Sequence, residues 1–307
     1  MSETELTALI AEIVTAYRER CFWMKCRMQL DNQLLAYLRI QMGWEKASPA
    51  ERKRMKQAAV DVVALGEQYR RDVVKAKKST GNEDHRSSGD IALAYRVPLP
   101  AELVPYAGVV LDGLACRDFP AIREAEATKR LAALTRRLPV WALVKPWRGF
   151  AEGSLATIVG EAGRSLDQFP DRGRLLKWLS IGVIDGIRQG NLPRSASAEE
   201  WQRHGYSPQR RSRITTISSS MLRTSNPRYR ALYDARKAYE IARAEAAGLI
   251  IAPADKIPKS HPERYRSLKH IELRARRYAE QHIVIDVWRA WHQAHKSVEA
   301  DHASDGQ

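Results

Sequence analysis

The stretch Val144-Lys145-Pro146-Trp147-Arg148-Gly149-Phe150-Ala151-Glu152-Gly153, continuing into Ser154-Leu155-Ala156-Thr157-Ile158-Val159-Gly160-Glu161-Ala162-Gly163, decides how this chain is read. It looks like a helix-hairpin-helix. In that arrangement a glycine-containing turn presents the free amide groups at the start of the second helix to a phosphate, and the helix dipole adds favourable charge. Lys145 and Arg148 would flank the same anion, with Gly149 and Gly153 shaping the turn. The plainer reading is that Gly149 and Gly153 only permit a tight connection between helices. The stretch by itself leaves both open.

Helical periodicity extends outward in both directions. Leu6, Leu9, Ile10, Ile13, Val14 and Tyr17 recur at three- and four-residue spacing behind a Ser2/Glu5 capping box. A second stripe, Leu30, Leu34, Leu35, Leu38 and Met42, ends near Gly43, and Ser48-Pro49 with Glu51 opens a third helix running to about Lys78. Lys75 to Gly89 is polar and reads as a linker. Pro98, Pro100 and Pro105 interrupt the chain before a helix from Ala121 to Leu138, whose expected buried face is Ile122, Ala125, Thr128, Leu131, Leu134 and Leu138. Short glycine-punctuated helices follow. A long last helix from about Ser267 to His295 carries Ile271, Tyr278, Ile283, Ile285, Trp288 and Trp291. Leu249-Ile250-Ile251 is an isolated β-branched run. The expected class is all-α. The expected organisation is a helical, coiled-coil-like assembly region at 1–78, a linker at 79–100, connecting helices at 101–140, a helix-hairpin-helix domain at 141–296 and a disordered tail at 297–307.

Composition narrows the function classes. The chain of 307 residues carries 51 Lys and Arg against 36 Asp and Glu, a formal charge of +15, which favours polyanionic partners. Its three cysteines, Cys21, Cys26 and Cys116, are irregularly spaced and fit reduced thiols better than disulfides or a zinc site. No apolar run is long enough to span a bilayer and the start is acidic, so a cytoplasmic location without membrane contact is expected. No cofactor is expected.

The run from Arg203 to Lys237 contains Arg203, Arg210, Arg211, Arg213, Arg223, Arg228, Arg230 and Arg236 interleaved with Tyr206, Tyr229 and Tyr233, and Asp234 is its one acid. Arginine forks suit phosphates and tyrosines stack on bases, so Arg203, Tyr206, Arg210, Arg211, Arg213 and Arg223 are taken as a nucleic-acid surface. Ser207-Pro208 reads as the helix start that places Arg210, Arg211 and Arg213 in the first turns. His292 and His295, with Asp286, have a spacing that would allow a metal but are expected to be surface histidines. Glu161 is either a buried acid or the partner of an arginine. Trp141, Trp147, Trp178, Trp201, Trp288 and Trp291 are expected in the core.

These residues resemble the bridge-RNA-guided insertion-sequence transposases. Arg148-Gly149-Phe150-Ala151 stands where that family has Pro-Gly-Ile-Gly, and Gly160-Glu161-Ala162-Gly163-Arg164 where it has Ala-Glu-Ile-Gly-Asp. Phe169, Leu175, Leu176, Trp178, Leu179 and Gly182-Val183 echo a Phe and a Leu-x-x-Tyr-x-Gly-Leu pattern. Gly205 to Arg213 with Met221-Leu222-Arg223 stands in place of a basic segment ending in Leu-Arg. The similarity spans about Leu138 to Trp291, roughly half the chain. It implies a nucleic-acid-binding protein of mobile-element origin, holding DNA or structured RNA through phosphates. The family's acidic nuclease domain has no counterpart in the helical first half, so a separate nuclease subunit is an implied partner. No serine stands cleanly where the family has its nucleophile; Ser195, Ser197 and Ser207 are the candidates, so a binder without independent catalysis is expected, with a serine-dependent recombinase component that needs a partner's metal site as the alternative. In this reading the first-half helices either pair between copies in a homo-oligomer or cover the C-terminal core within one chain. A non-catalytic scaffold is the alternative outside nucleic-acid chemistry.

Overall fold

The computed structural model of the protein describes the backbone of residues 1–79, 97–184 and 186–304, with side chains described for 1–76, 97–184 and 186–295. The chain is all-α, as expected. Its helices are α1 (Glu3–Gln41), α2 (Pro49–Ser79), α3 (Ala107–Arg136), α4 (Trp141–Val144), α5 (Glu152–Ala162), α6 (Arg172–Trp178), α7 (Ala198–His204), α8 (Pro208–Arg223), α9 (Pro227–Ala246) and α10 (Leu268–Ser304). Strand among the described residues is limited to an antiparallel pair, β1 (Val183–Ile184) with β2 (Ile187–Arg188), and a parallel pair, β3 (Ile250–Ala252) with β4 (Tyr265–Ser267). The run at Leu249 to Ile251 is therefore paired, with Ile250 opposite Tyr265.

Two expected helices are one. Arg18 to Gln29 contains neither Gly nor Pro, so nothing stops the helix that Ser2 and Glu5 cap, and α1 continues for 39 residues until Gly43 takes the left-handed conformation at φ 87°. The Ser48/Glu51 box opens α2, its two bonds measuring 2.7 and 3.4 Å. The linker expected at 79–100 lies largely outside the described residues.

α3 begins at Ala107, well before the expected Ala121, and passes through the buried Pro120. An interior proline costs about 3 kcal/mol. Burying Val110 and Leu114, both fully buried, returns about 3–6 kcal/mol, so the helix persists. The face expected for the Ala121–Leu138 stretch was right at Leu131, Leu134 and, just past the end of α3, Leu138, which are buried, but Ile122, Ala125 and Thr128 are exposed and Ala127 is buried instead. Stepping back by threes from Leu131 to Ile122 turns the helix by about 180°, and the true stripe uses the four-residue step.

Two compact units form. One comprises Glu19–Glu126, the other Met1–Arg18 with Ala127–Gln307. These bounds differ from the expected division, because the opening turns of α1 pack with the C-terminal half. In the unit of Glu19–Glu126, Leu34, Leu38, Ala59, Val62, Leu103, Val110 and Leu114 form one core. Arg117 bridges Asp31 at 3.3 Å and Glu67 at 2.7 Å, tying its three helices.

In the other unit α10 is the central helix. Ile271, Ala275, Ala279, Ile283, Val287 and Trp291, four residues apart, are all buried, and the alanines let α9 approach closely along its length. Leu6, Leu9, Ile10, Ile13, Val14 and Tyr17 are buried as expected. α10 remains helical to Ser304, past the tail boundary expected at 297; residues 305–307 lie outside the described residues.

Candidate nucleic-acid interface

The quoted stretch folds as a single-turn helix, α4, then a turn at Gly149, then α5. Trp147 donates its amide to Val144 at 3.0 Å and Phe150 to Trp147 at 2.9 Å. Gly149 sits at φ 81°, and a Cβ there would strike the Thr224 hydroxyl and lie 2.9 Å from the Met221 Cα. The turn is thus seated on the end of α8, where Asn226 Nδ2 donates to the Arg148 carbonyl at 2.9 Å. Gly153, in the first turn of α5, has open space around it.

The start of α5 is already occupied by an anion of the chain itself. Ala151 offers no side-chain cap. The Glu152 carboxyl is held below its ordinary range by its own amide group, by Arg136 at 2.7 Å and by the charge of Lys145. The expected phosphate seat flanked by Lys145 and Arg148 is therefore not formed at this helix start; Lys145 acts on Glu152, while Arg148 reaches elsewhere.

The basic cluster of α8 also turns inward. Arg213 pairs with Glu161 and lies over the Tyr17 ring at 5.2 Å, and Arg210 approaches the same carboxylate at 3.5 Å. The Tyr17 hydroxyl donates to Glu161 at 2.5 Å. Arg211 pairs with the fully buried Glu280, which also accepts from the Ser218 hydroxyl at 3.3 Å. Glu161 is thus an arginine partner, one of the two roles expected of it. The acids missing from the run are supplied by α5 and α10. Arg210, Arg211 and Arg213 are internal struts rather than an outward surface, and burial accordingly lowers the Arg210 pKa.

Among the other expected residues, Arg203 and Arg223 are exposed in the last turns of α7 and α8, and Tyr206 is half-buried with its ring 6.5 Å from His204. Ser197 caps α7 in a full capping box with Glu200, and Ser207 caps α8 through the Arg210 amide at 3.3 Å, so both hydroxyls are engaged as caps. Ser195 is exposed. His292 and His295 are half-buried, contrary to expectation: His292 meets Trp288 edge-on, and His295 stacks on Trp291 with Asp167 at 3.9 Å. Among the described residues no group of His, Cys, Asp or Glu is placed to hold a metal. Of the six tryptophans expected in the core only Trp291 is fully buried. Trp178 is 40% exposed, with Arg210 at 4.5 Å and Arg164 at 5.6 Å over its ring.

What the fold does build is a cleft of about 600 Å³ between the Pro146–Arg148 turn, the start of α9 and α10. Asn226 caps α9, and Pro227 at its first position fixes Arg228 and Tyr229 at the cleft wall. Asp286, from α10, accepts from Arg228 at 2.9 Å, from the Tyr229 hydroxyl at 3.2 Å and from Arg289 at 3.3 Å. Burial, and then the Asp286 charge, push the Tyr229 phenol well above its ordinary value, so it stays a proton donor. Trp147, half-buried and 6.1 Å from the Tyr229 ring, supplies an aromatic wall.

Three arginines, Arg148, Arg228 and Arg289, face one carboxylate in this cleft, an excess of two positive charges. Arg228 and Arg289 each spend part of a fork on Asp286 and remain 61% and 57% exposed, so donors are left for a ligand. The Arg148 guanidinium has no hydrogen bond or ion pair among the described residues. Sequence reading found Arg148 and the Arg228–Tyr229 pair but missed Arg289, and it placed Trp147 in the core and considered Asp286 only for a metal. The Asn226-Pro227 helix start was the signal that could have positioned α9's share.

A second positive region lies beside the β1–β2 hairpin. Arg277, buried in α10, donates to the carbonyls of Gly182 at 2.9 Å and Gln189 at 3.2 Å, fastening the hairpin to the helix. Burial, with the charges of Arg211 and Arg188, lowers its pKa to about 10. No helix of the described residues is long and apolar enough to cross a membrane. No protein-family model, no curated protein and no solved structure matches this chain.

Proposed function

We propose that this chain is a nucleic-acid-binding protein of mobile-element origin that holds DNA or structured RNA mainly through phosphates, with the Trp147–Asp286 cleft as its principal contact. The observation that carries this reading is the cleft itself: three guanidinium forks with spare donors, set beside the half-buried Trp147 ring and one carboxylate. Guanidinium groups meet phosphate oxygens two at a time, and an aromatic ring accepts a base face without regard to sequence. The transposase-like pattern around Gly149 and Gly160 supports the same reading. Such contacts position a strand more than they specify its sequence.

The test is equilibrium binding of duplex DNA, single-stranded DNA and structured RNA across a salt series, with the parent protein and an Arg148→Ala/Arg289→Ala variant. Binding should fall steeply with salt, and each lost phosphate contact should reduce the magnitude of the log–log slope by about 1. Absent or salt-insensitive binding, or a variant indistinguishable from the parent, would remove the cleft from the argument.

A further inference from the structure

At the other end of α9 a smaller and more enclosed pocket, about 160 Å³, opens between Glu240, Arg243, Leu249, Arg266 and Arg274. The local sequence explains how it forms. α9 ends at Ala246, the chain turns through Gly248 at φ 69°, and β3 then pairs in parallel with β4, which carries Arg266 back beside the helix end. α10 begins directly after β4 and presents Arg274 two turns in.

The electrostatics are unbalanced. Glu240, 4% exposed, is already satisfied twice, by Arg236 at 2.5 Å and Arg274 at 2.9 Å. Arg243 and Arg266 make no side-chain hydrogen bond or ion pair among the described residues, yet both line the pocket. Three arginines against one glutamate leave an excess of two positive charges. The carbonyl end of α9 subtracts about half a charge, which leaves the pocket strongly cationic. His270 sits in the same field. It accepts from Arg274 at 2.8 Å, and its pKa is depressed by burial and then by Arg274, Arg266 and Arg188.

We infer that this pocket takes a phosphate monoester, and, resting on the nucleic-acid reading above, that its occupant is the terminal phosphate of a strand. Charge and shape both argue for an end over a passing backbone. A monoester carries a charge of about −1.5 to −2 near neutral pH, close to the surplus in the pocket, whereas each internal diester carries a single charge. A partly enclosed pocket of this size suits a group entering on one bond, whereas a continuous strand is better held along an open groove. The spare forks of Arg243 and Arg266 can donate to separate oxygens of the same phosphoryl group.

The experiment uses the full chain and one oligonucleotide sequence carrying a 5′-phosphate, a 3′-phosphate or hydroxyls at both ends, with inorganic phosphate as a fourth probe. Parent and Arg243→Ala/Arg266→Ala proteins are compared by fluorescence anisotropy, and inorganic phosphate is followed by ³¹P line broadening. Since neither side chain holds a partner, the variant's thermal melt should match that of the parent. One of the phosphorylated ends should bind about tenfold more tightly than the hydroxyl-ended strand, and the variant should level that difference while keeping the hydroxyl-ended affinity. Equal affinity for all three strands in the parent overturns the strand-end assignment and leaves the proposed nucleic-acid function standing. If no strand binds, saturable broadening of inorganic phosphate that the variant abolishes keeps the monoester pocket and sinks only the nucleic-acid reading. Absence of that broadening as well overturns the pocket.

Discussion

Arg211→Ala tests whether the densest basic cluster of the sequence is structural. Arg211 is 19% exposed and its partner Glu280 is 0% exposed, so truncating the arginine leaves a carboxylate in the interior with the Ser218 hydroxyl at 3.3 Å and the neighbouring charge of Arg277 but without its ion-pair partner. Breaking a buried pair in this way costs about 3–5 kcal/mol, and the partial exposure of Arg211 favours the lower end, about 3 kcal/mol. Against a total stability of about 5–15 kcal/mol that is a large share. For a unit of this size it corresponds to a fall in melting temperature of about 6–12 °C. The assay is thermal and urea unfolding followed by tryptophan fluorescence, for Arg211→Ala, Glu280→Gln and the double variant. Removing the charge from Glu280 relieves the stranded carboxylate, so the double variant should be more stable than Arg211→Ala alone, with a coupling of about 2 kcal/mol. At temperatures where Arg211→Ala is folded, its nucleic-acid affinity should match that of the parent. A loss of stability below about 1 kcal/mol together with a clear drop in affinity would refute the reasoning, because the arginine would then face ligand rather than Glu280.

The glycines of the quoted turn separate in the same way: Gly149→Ala should lose at least about 2 kcal/mol, from φ 81° and the collision with Met221, whereas Gly153→Ala, in open space on a helix, should be neutral or stabilising by about 0.5 kcal/mol. Equal melting temperatures for the two variants would contradict the seating of the turn on α8. Acidification should also weaken the fold in two stages. His270 has its pKa below the ordinary 6.5, so the neutral ring is favoured in the folded state, and that contribution is present above 6.5 and lost as pH falls through the folded value. For Glu240, burial works in the opposite direction but the bonds from Arg274 and Arg236 prevail and hold the carboxyl below the ordinary 4.5, so its contribution persists above 4.5 and disappears only at still lower pH. Urea midpoints should fall between about pH 7 and about pH 5 and fall less in His270→Gln; a flat profile, or an unchanged slope in that variant, would count against the Arg274–His270 contact.

Much of the fold was legible because its signals are local. The Ser2/Glu5 and Ser48/Glu51 boxes, the Leu6–Tyr17 stripe and the proline at the start of α8 each involve groups three or four residues apart, where helix geometry alone brings them together. The all-α class followed from such patterns, as did the glycine turn between α4 and α5. Continuity was harder to read: whether α1 stops near Arg18 and whether α3 survives Pro120 depend on burial that periodicity does not measure.

The site depended on distant partners. The charge surplus and the arginine run could be counted from the sequence, and they set the expectation of a polyanionic ligand. Which arginines are free to meet one was decided by tertiary structure. Arg211 finds Glu280 69 positions away, and Arg228 finds Asp286 58 positions away. An arginine beside its own sequence neighbours looks unpaired until the fold delivers a carboxylate. The energy of a charge depends on what lies within a few ångströms of it in space, and a one-dimensional pattern records that only for residues on the same turn.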